Sequence, residues 1–136
     1  MEVVIRWWWA RAVDFDLCRC LYAYLHPRTD KLLYLGKADR QSVGQRMKGR
    51  HKDDVYEYLE REHRVQKLRP LIGGLLLDEK QRYSSALLAD VESLLINQIA
   101  PPCNVSCISS RIERPGLTVV CRGDWWPLRQ RTFHDD

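Results

Sequence analysis

The sequence predicts an α/β (α+β) fold: a small sandwich in which helices flank a short central mixed or antiparallel β-sheet, with short β-rich additions at both ends. The 136 residues are the size of one domain, and 45% hydrophobic with 29% charged residues allows a single buried core. Segments rich in β-branched and aromatic residues alternate with segments in which apolar residues recur every three or four positions. The predicted element order is β, ββ, α, α, β, α, β.

Three strands are predicted in the first part of the chain. Residues 2–9 are rich in valine and tryptophan, and residues 19–26 and 32–36 alternate as strands do. The segment between the last two contains proline and aspartate, which favour a turn, so these two strands form a hairpin. Tyr22 and Tyr34 then lie in the two arms of the hairpin.

Three helices are predicted after the hairpin. Ser42 is a suitable N-cap for a helix that ends near residue 51, and Asp53 or Asp54 for a second helix that ends near Leu68. The strongest helical pattern covers residues 84–99 and ends before two prolines. Its repeating apolar residues are Leu87, Leu88, Val91, Leu94, Leu95 and Ile99.

The two ends of the chain resemble each other. Residues 71–78 predict a buried strand, and residues 117–122 predict another that is as valine-rich as the N-terminal strand and is also followed by tryptophans. We therefore expect the two ends to pair beside the core. The predicted organisation is an N-terminal β extension at 1–17, a central domain at 18–106, and a C-terminal β extension rich in Trp and Arg at 107–136.

All five tryptophans lie in the two extensions. They could stack on nucleic-acid bases together with arginines, or close a small core or a dimer contact, which is the interpretation we favour. Because successive strand residues face opposite sides, Trp8 is expected to face away from the side of Trp7 and Trp9.

Charge, apolar runs and cysteines limit the class of protein. The net charge is +4, and the segment 40–52 is basic without an acid, which suits a polyanion such as nucleic acid or else forms a solvated mixed-charge surface. No apolar run approaches the ~20 residues of a membrane span. The N-terminus lacks the pattern of a signal peptide, so a cytoplasmic protein is expected. Five cysteines without a CxxC pair indicate free thiols rather than structural zinc.

One acid is expected to face inward from the last predicted helix. At 100° per residue Glu92 lies beside Leu88 and Leu95, whereas Asp90 points to the far, solvated side. A partly desolvated carboxylate needs a compensating cation. Glu92 could hold one hard cation such as Mg²⁺, with water and phosphate oxygens completing the shell, or pair with an arginine or lysine at the core edge.

Four further residues have both a chemical and a structural interpretation. Tyr22 and Tyr34 are ordinary strand residues, or one is a base whose pKa is lowered by nearby cations. Arg46 is a surface arginine, or it binds a phosphate through two donors. Asn104 fixes a loop by bonding to the backbone, or it orients a tyrosine or the substrate.

The ordered set resembles the GIY-YIG nuclease superfamily over residues 18–106. Cys20-Leu21-Tyr22 stands at the first triplet and Tyr34-Leu35-Gly36 at the second. The segment from Tyr34 to Ala38, together with Glu92 to Ile96 and the Pro-Pro-Cys-Asn-Val ending, looks most like the N-terminal nuclease domain of the bacterial excision-repair incision subunit. Cys20 replaces the first glycine of the motif.

The resemblance implies a role for each matching residue. Tyr22 and Tyr34 match the motif tyrosines, Arg46 the arginine that binds the scissile phosphate, and Glu92 the single metal ligand. The interval after Gly36 is slightly long, so Arg40 or Arg50 is an alternative match to the arginine. The implied catalytic set is Tyr22, Tyr34, Lys37, Arg46, His51, Glu92 and Asn104, and the implied nucleic-acid contacts are Lys37, Arg40, Arg46, Lys48, Arg50 and Lys52.

The expected activity is that of a DNA endonuclease that uses one Mg²⁺ or Mn²⁺ ion per site and tyrosine-assisted attack of water on a phosphodiester. The expected partner is double-stranded DNA, with a homodimer as a possible assembly and with no small-molecule cofactor. The alternative is a catalytically inactive nucleic-acid-binding or accessory module that keeps the nuclease fold.

Overall fold

The structure, a computed structural model, describes residues 1–48, 53–63, 70–104, 112, 115–125 and 129–135. The described residues form an α+β fold of six strands, three α-helices and a short 3-10 helix, which confirms the predicted fold class. In chain order the elements are β1 Glu2–Trp9, the 3-10 helix Ala12–Asp16, β2 Cys20–Leu25, β3 Leu32–Ala38, α1 Val43–Lys48, α2 Asp53–His63, β4 Pro70–Leu76, α3 Ser85–Ile99, β5 Thr118–Gly123 and β6 Thr132–His134.

The six strands form one mixed sheet in the order β3-β2-β4-β1-β5-β6. β1 pairs antiparallel with β4 and parallel with β5, which confirms that the two ends of the chain pair. β2 pairs antiparallel with β3 and β4, and β6 pairs antiparallel with β5. The sheet therefore contains strands from all three predicted segments, and β1 lies next to its centre.

Most predicted elements are present near their predicted ends. The hairpin, the strand β5 and the Ser84-capped helix α3 are confirmed, and β4 ends at Leu76, slightly before the predicted limit. The 3-10 helix and β6 were not predicted. The predicted C-terminal ends of the first two helices fall outside the described residues.

The helix α3 has a defined cap at each end, and the side that carries Asp90 is buried. Ser84 accepts a hydrogen bond from the Leu87 N–H at 3.0 Å, and the helix ends at Ala100 in a left-handed conformation before the prolines. The prediction that Asp90 is solvated is wrong, because Asp90 is only 3% exposed. Asp90 lies about one turn from both Leu87 and Leu94, which are buried in the core that covers this flank.

Two apolar clusters occupy the two faces of the sheet. On one face, Trp7 and Trp9 pack with α3 and with Trp125, whereas Trp8 packs on the other face with α1 and α2. This confirms the predicted alternation of the three tryptophans. Among the described residues, no helix is both long and apolar enough to cross a membrane.

Two adjacent glycines of β4 make room for the tryptophans of β1. A Cβ atom at Gly73 would lie 2.8 Å from the Trp7 ring, and a Cβ atom at Gly74 would lie 3.1 Å from the Trp8 ring. The glycine pair thus lets one indole lie across the sheet on each face.

Candidate active site

The two motif tyrosines are adjacent in space. Tyr22 on β2 is completely buried and Tyr34 on β3 is 9% exposed, and their ring centroids are 6.1 Å apart. Tyr24 packs against both rings, with centroids 5.8 Å from Tyr22 and 5.5 Å from Tyr34. Its hydroxyl hydrogen-bonds to the Tyr56 hydroxyl of α2 at 3.1 Å. The tyrosines therefore form a packed cluster in which each ring is held by its neighbours.

Gly36 makes the space that the tyrosine cluster needs. It lies opposite Tyr22 in the β2–β3 ladder. A Cβ atom at this position would be 2.7 Å from Tyr22 Cζ, 2.8 Å from its hydroxyl and 3.0 Å from the Tyr34 ring. Any side chain at this position would displace both tyrosines, which explains on steric grounds why the second triplet has a glycine here.

Arg46 and Glu92 both act electrostatically on Tyr22. Burial is the largest influence on the Tyr22 phenol and raises its pKa, while the charge of the nearby Arg46 guanidinium lowers the pKa. Tyr56 and the Glu92 carboxylate raise the pKa further, and the net shift is upward. Residues from β2, α1 and α3 are thus coupled electrostatically at Tyr22, with Glu92 the weakest of the influences.

The expectation that nearby cations lower the pKa of the site tyrosine is wrong for Tyr22. The cation is present, but the loss of hydration in the packed cluster disfavours the phenolate more than Arg46 favours it. Tyr22 is therefore a neutral phenol at pH 7, able to donate a hydrogen bond through its O–H.

A capping box at the start of α1 positions Arg46. The Ser42 hydroxyl accepts from the Gln45 N–H at 3.1 Å, and Gln45 Oε1 accepts from the Ser42 N–H at 2.9 Å. The Val43 N–H donates to the carbonyl of Leu17 at 2.8 Å, which attaches the helix to the segment before β2. Arg46 follows on the first turn, half-buried against the sheet.

A cleft of about 300 Å³ extends from Arg46. It is lined by Lys37, Asp39, Arg40, Gln41 and Arg46, that is, by three cations and one acid. Arg46 Nε is buried and makes no hydrogen bond to the described residues. The cleft is suited to an anion, because its three cations outnumber its one acid.

Asp39 is a site residue that the sequence reasoning missed. Hydrogen bonds from Ser85 and Tyr83 keep its pKa below the usual value, and Lys37 and Arg40 contribute in the same direction. The Arg19 guanidinium lies 5.3 Å from the centre of the Tyr83 ring. The sequence did offer one signal for Asp39, because it is a polar residue directly after the strand that carries Lys37. The contact of Asp39 with Tyr83 could not be inferred, because the two residues are far apart in the sequence.

Asn104 bonds to the backbone beside the second triplet. Its Oδ1 accepts from the Leu35 N–H at 2.8 Å and its Nδ2 donates to the Leu35 carbonyl at 2.7 Å. β3 is an edge strand, so these outward-facing groups of Leu35 have no neighbouring strand to pair with. Of the two predicted roles, the structure contains the backbone-bonding one: Asn104 holds the segment between Tyr34 and Gly36 without entering the cleft.

The remaining predicted contacts divide into two groups. Arg40 and Lys48 are exposed, and Lys48 is the last residue of α1. The predictions for Arg50, His51 and Lys52 lie outside the described residues.

The cysteines of the described segments are free thiols, namely Cys18, Cys20, Cys103 and Cys121. Burial raises the pKa of Cys20 to about 12 and that of Cys103 to about 11. These buried thiols are protonated at neutral pH, which fits the expectation of free buried cysteines. Cys107 lies outside the described residues.

Comparison with known proteins adds no relative. No protein-family description, no curated protein and no solved structure matches the chain.

Proposed function

We propose that this chain is a metal-dependent DNA endonuclease of the GIY-YIG type that acts in the cytoplasm. The observation that carries the proposal is that Arg46 and Glu92 both act electrostatically on Tyr22 and that Arg46 also lines a cationic cleft. The three residues come from β2, α1 and α3, and each is the type that phosphodiester hydrolysis uses: a phenol, a guanidinium and a carboxylate.

The cleft supports binding of the scissile phosphate. The Arg46 guanidinium, which lines the cleft, would bind phosphate oxygens and offset the charge that grows in the transition state. Lys37 and Arg40 line the same cleft and would add to the attraction for the DNA backbone. The Asp39 carboxylate accepts hydrogen bonds from Ser85 and Tyr83, and these bonds partly compensate its negative charge.

The residues fit a single hard cation only when the substrate is bound. Glu92 is half-buried, and its charge raises the pKa of Tyr22. The described residues contain no group of three or more His, Cys, Asp or Glu that could hold a metal ion without further ligands. Glu92 would contribute one carboxylate, and water and phosphate oxygens would complete the shell. The ion, when bound, would neutralise phosphate charge and make a nearby water more acidic.

Tyr22 would position the attacking water rather than remove its proton. Its pKa is raised by burial, so the phenol keeps its proton at pH 7 and donates or accepts a hydrogen bond. Between the two roles that the resemblance implies for this tyrosine, the neutral phenol supports the positioning one.

The same observation favours a second candidate function, a nucleic-acid-binding module without catalysis. A phenol with a raised pKa and one acid near it are also compatible with a cleft that binds a phosphate and leaves it intact. Binding then needs Arg46, Lys37 and Arg40 but not the Glu92 carboxylate.

Cleavage of supercoiled plasmid tests the proposal and separates the two candidates. Wild-type protein is expected to cut with Mg²⁺ and not with EDTA, and Glu92→Gln is expected to reduce the rate at least ~10³-fold while DNA binding in a gel shift stays intact. Glu60→Gln, which changes an exposed glutamate of α2, is the matched control and should cut like wild type.

Two outcomes would contradict the nuclease proposal. Binding without cutting by the wild type, on plasmid and on branched or single-stranded DNA, leaves the binding module as the function. Equal cutting by Glu92→Gln and wild type would show that Glu92 holds no essential metal.

A further inference from the structure

One half of the sheet has a face that no helix of the described chain covers. The face that holds Trp8 and the tyrosine cluster is covered by α1 and α2 over β2 and β3. Beyond Trp8 and Ile72, the same face of β1, β4 and β5 has exposed Arg6, exposed Arg122 and Leu76, which is 51% exposed. This uncovered half lies next to the candidate active site on one continuous sheet.

Arg6 and Arg122 are direct neighbours on this face. They are register partners in the parallel pairing of β1 with β5. Like charges side by side on adjacent strands destabilise a sheet. The ion pairs among the described residues involve Arg11 and Arg61 and leave both of these arginines without a carboxylate partner in the described chain. A bound anion would remove the repulsion and occupy both guanidinium groups.

A groove of about 650 Å³ contains Arg6, and Arg122 lies beside it as the register partner of Arg6 without lining it. The lining residues are Arg6, Trp8, Trp9, Arg11, Gly74, Leu75, Leu76 and Asp124. The Trp8 ring lies across Gly74, and its indole N–H donates to Asp14 Oδ2 at 3.1 Å, which fixes the orientation of the ring. The groove thus combines cationic groups with a fixed aromatic wall, the pairing that nucleic-acid backbones and bases bind. Asp124 is the acid among these lining residues, at the end of β5.

We propose that this groove, named here the Arg6–Arg122 groove, binds the backbone of the DNA whose other part lies in the active site. The proposal rests on the proposed function. Trp8, Ile72 and Tyr22 are aligned across β1, β4 and β2 on the same face. Neighbouring strands are about 4.8 Å apart, so β1 is about 10 Å and β5 about 14 Å from the strand of Tyr22. That distance corresponds to a few nucleotides along one strand of a duplex, whose rise is about 3.4 Å per nucleotide.

A second copy of the chain is a poorer occupant of the groove. Two copies that meet through this face around a two-fold axis would bring the arginine pair of one copy toward the arginine pair of the other. Arg6 and Arg122, which have no carboxylate partner among the described residues, are instead complementary to phosphates. The extensions of the chain would then enlarge the DNA-binding surface beyond the cleft at Arg46.

Fluorescence anisotropy with a labelled duplex of about 30 base pairs, in EDTA to prevent cleavage, tests the groove. The double variant Arg6→Gln/Arg122→Gln is expected to raise Kd about tenfold near 0.1 M salt and to reduce the slope of log K against log salt by about 2, since each lost phosphate contact removes about 0.9. The control is Arg28→Gln/Arg129→Gln, which removes two exposed arginines elsewhere and should change Kd less than twofold. Equal thermal unfolding of both variants checks the fold.

The outcomes separate this inference from the proposed function. Cleavage by wild type combined with unchanged DNA affinity of the groove variant overturns the groove and keeps the nuclease. Weakened binding by the groove variant alone, with no cleavage by wild type, supports the groove on a binding module. A dimer in sedimentation that dissociates on Leu76→Asp would show that a second copy occupies the face, which overturns the groove.

Discussion

The two faces of the sheet differ in what they bury. Trp7 points to the side of α3, where the cluster consists of apolar residues and Trp7 packs on Trp125 at 5.1 Å. Trp8, the next residue, points to the side where the tyrosines, Arg46 and the arginine pair lie. Adjacent residues of one strand therefore pack into an apolar core on one face and into a tyrosine-rich cluster on the other. The alternation of strand side chains lets a sheet of six strands support both without a second domain.

The largest effect on stability is expected from Trp7→Ala. Trp7 is 1% exposed and fills the space between Gly73 and Trp125, so its loss leaves a cavity and should lower the free energy of unfolding by about 3–5 kcal/mol. Trp8→Ala is the matched variant on the other face and should cost less, because Trp8 is only half-buried. Urea unfolding of both variants measures the difference. Equal losses of unfolding free energy would mean that the α3 face does not contribute more to stability than the tyrosine face.

The part of the fold that follows from local periodicity could be predicted. β1 to β5 and α3 have regular apolar patterns over six or more residues, which is enough to recognise an element. β6 has three residues and the 3-10 helix five, too few to show a period. The register that places Arg6 beside Arg122 joins positions more than a hundred residues apart, so no local pattern could have predicted it.

The site was predictable in its members but not in its electrostatics. The resemblance named Tyr22, Arg46 and Glu92, and in the structure both Arg46 and Glu92 influence the pKa of Tyr22. The direction of the Tyr22 pKa depends on how completely the neighbouring tyrosines exclude water, and the burial of Asp90 depends on what covers the flank of α3. Both are properties of tertiary packing, which a helical or strand period does not contain.

An intermediate effect, on both stability and activity, is expected from Gly36→Ala. The new Cβ would lie 2.7 Å from Tyr22 and 3.0 Å from Tyr34, so both rings must move and the free energy of unfolding should fall by about 1–3 kcal/mol. Because the displaced Tyr22 also loses its place beside Arg46, plasmid cleavage should fall about 10²-fold. Circular dichroism during urea unfolding and a timed cleavage assay measure the two effects.

Gly73→Ala is the control for that variant on the α3 side of the sheet. Its Cβ would lie 2.8 Å from the Trp7 ring, so the free energy of unfolding should also fall, but the substitution touches neither the tyrosine cluster nor the groove. Cleavage, measured where both variants are folded, should change less than threefold. A loss of cleavage as large as that of Gly36→Ala would show that activity responds to any added methyl group in the sheet rather than to the tyrosine cluster.

The smallest effect is expected from Asp14→Asn, and it should depend on pH. Burial alone would raise the pKa of Asp14, but hydrogen bonds from the Arg11 N–H at 2.7 Å and the Trp8 indole, together with the Arg11 charge, lower it. A carboxyl whose pKa is lower in the folded state stabilises the protein above its unfolded pKa of about 3.9, and that stabilisation disappears as the pH falls through the folded pKa.

Wild type should therefore exceed Asp14→Asn by about 1 kcal/mol in free energy of unfolding at pH 7, and the difference should shrink below about pH 4. Asp39 also has a lowered pKa, but it is present in both proteins and cancels in the difference. Urea unfolding at pH 7, 5 and 3 measures the trend. A difference that stays constant down to pH 3 would mean that the Asp14 charge does not hold Trp8, and that the wall of the Arg6–Arg122 groove is fixed by packing alone.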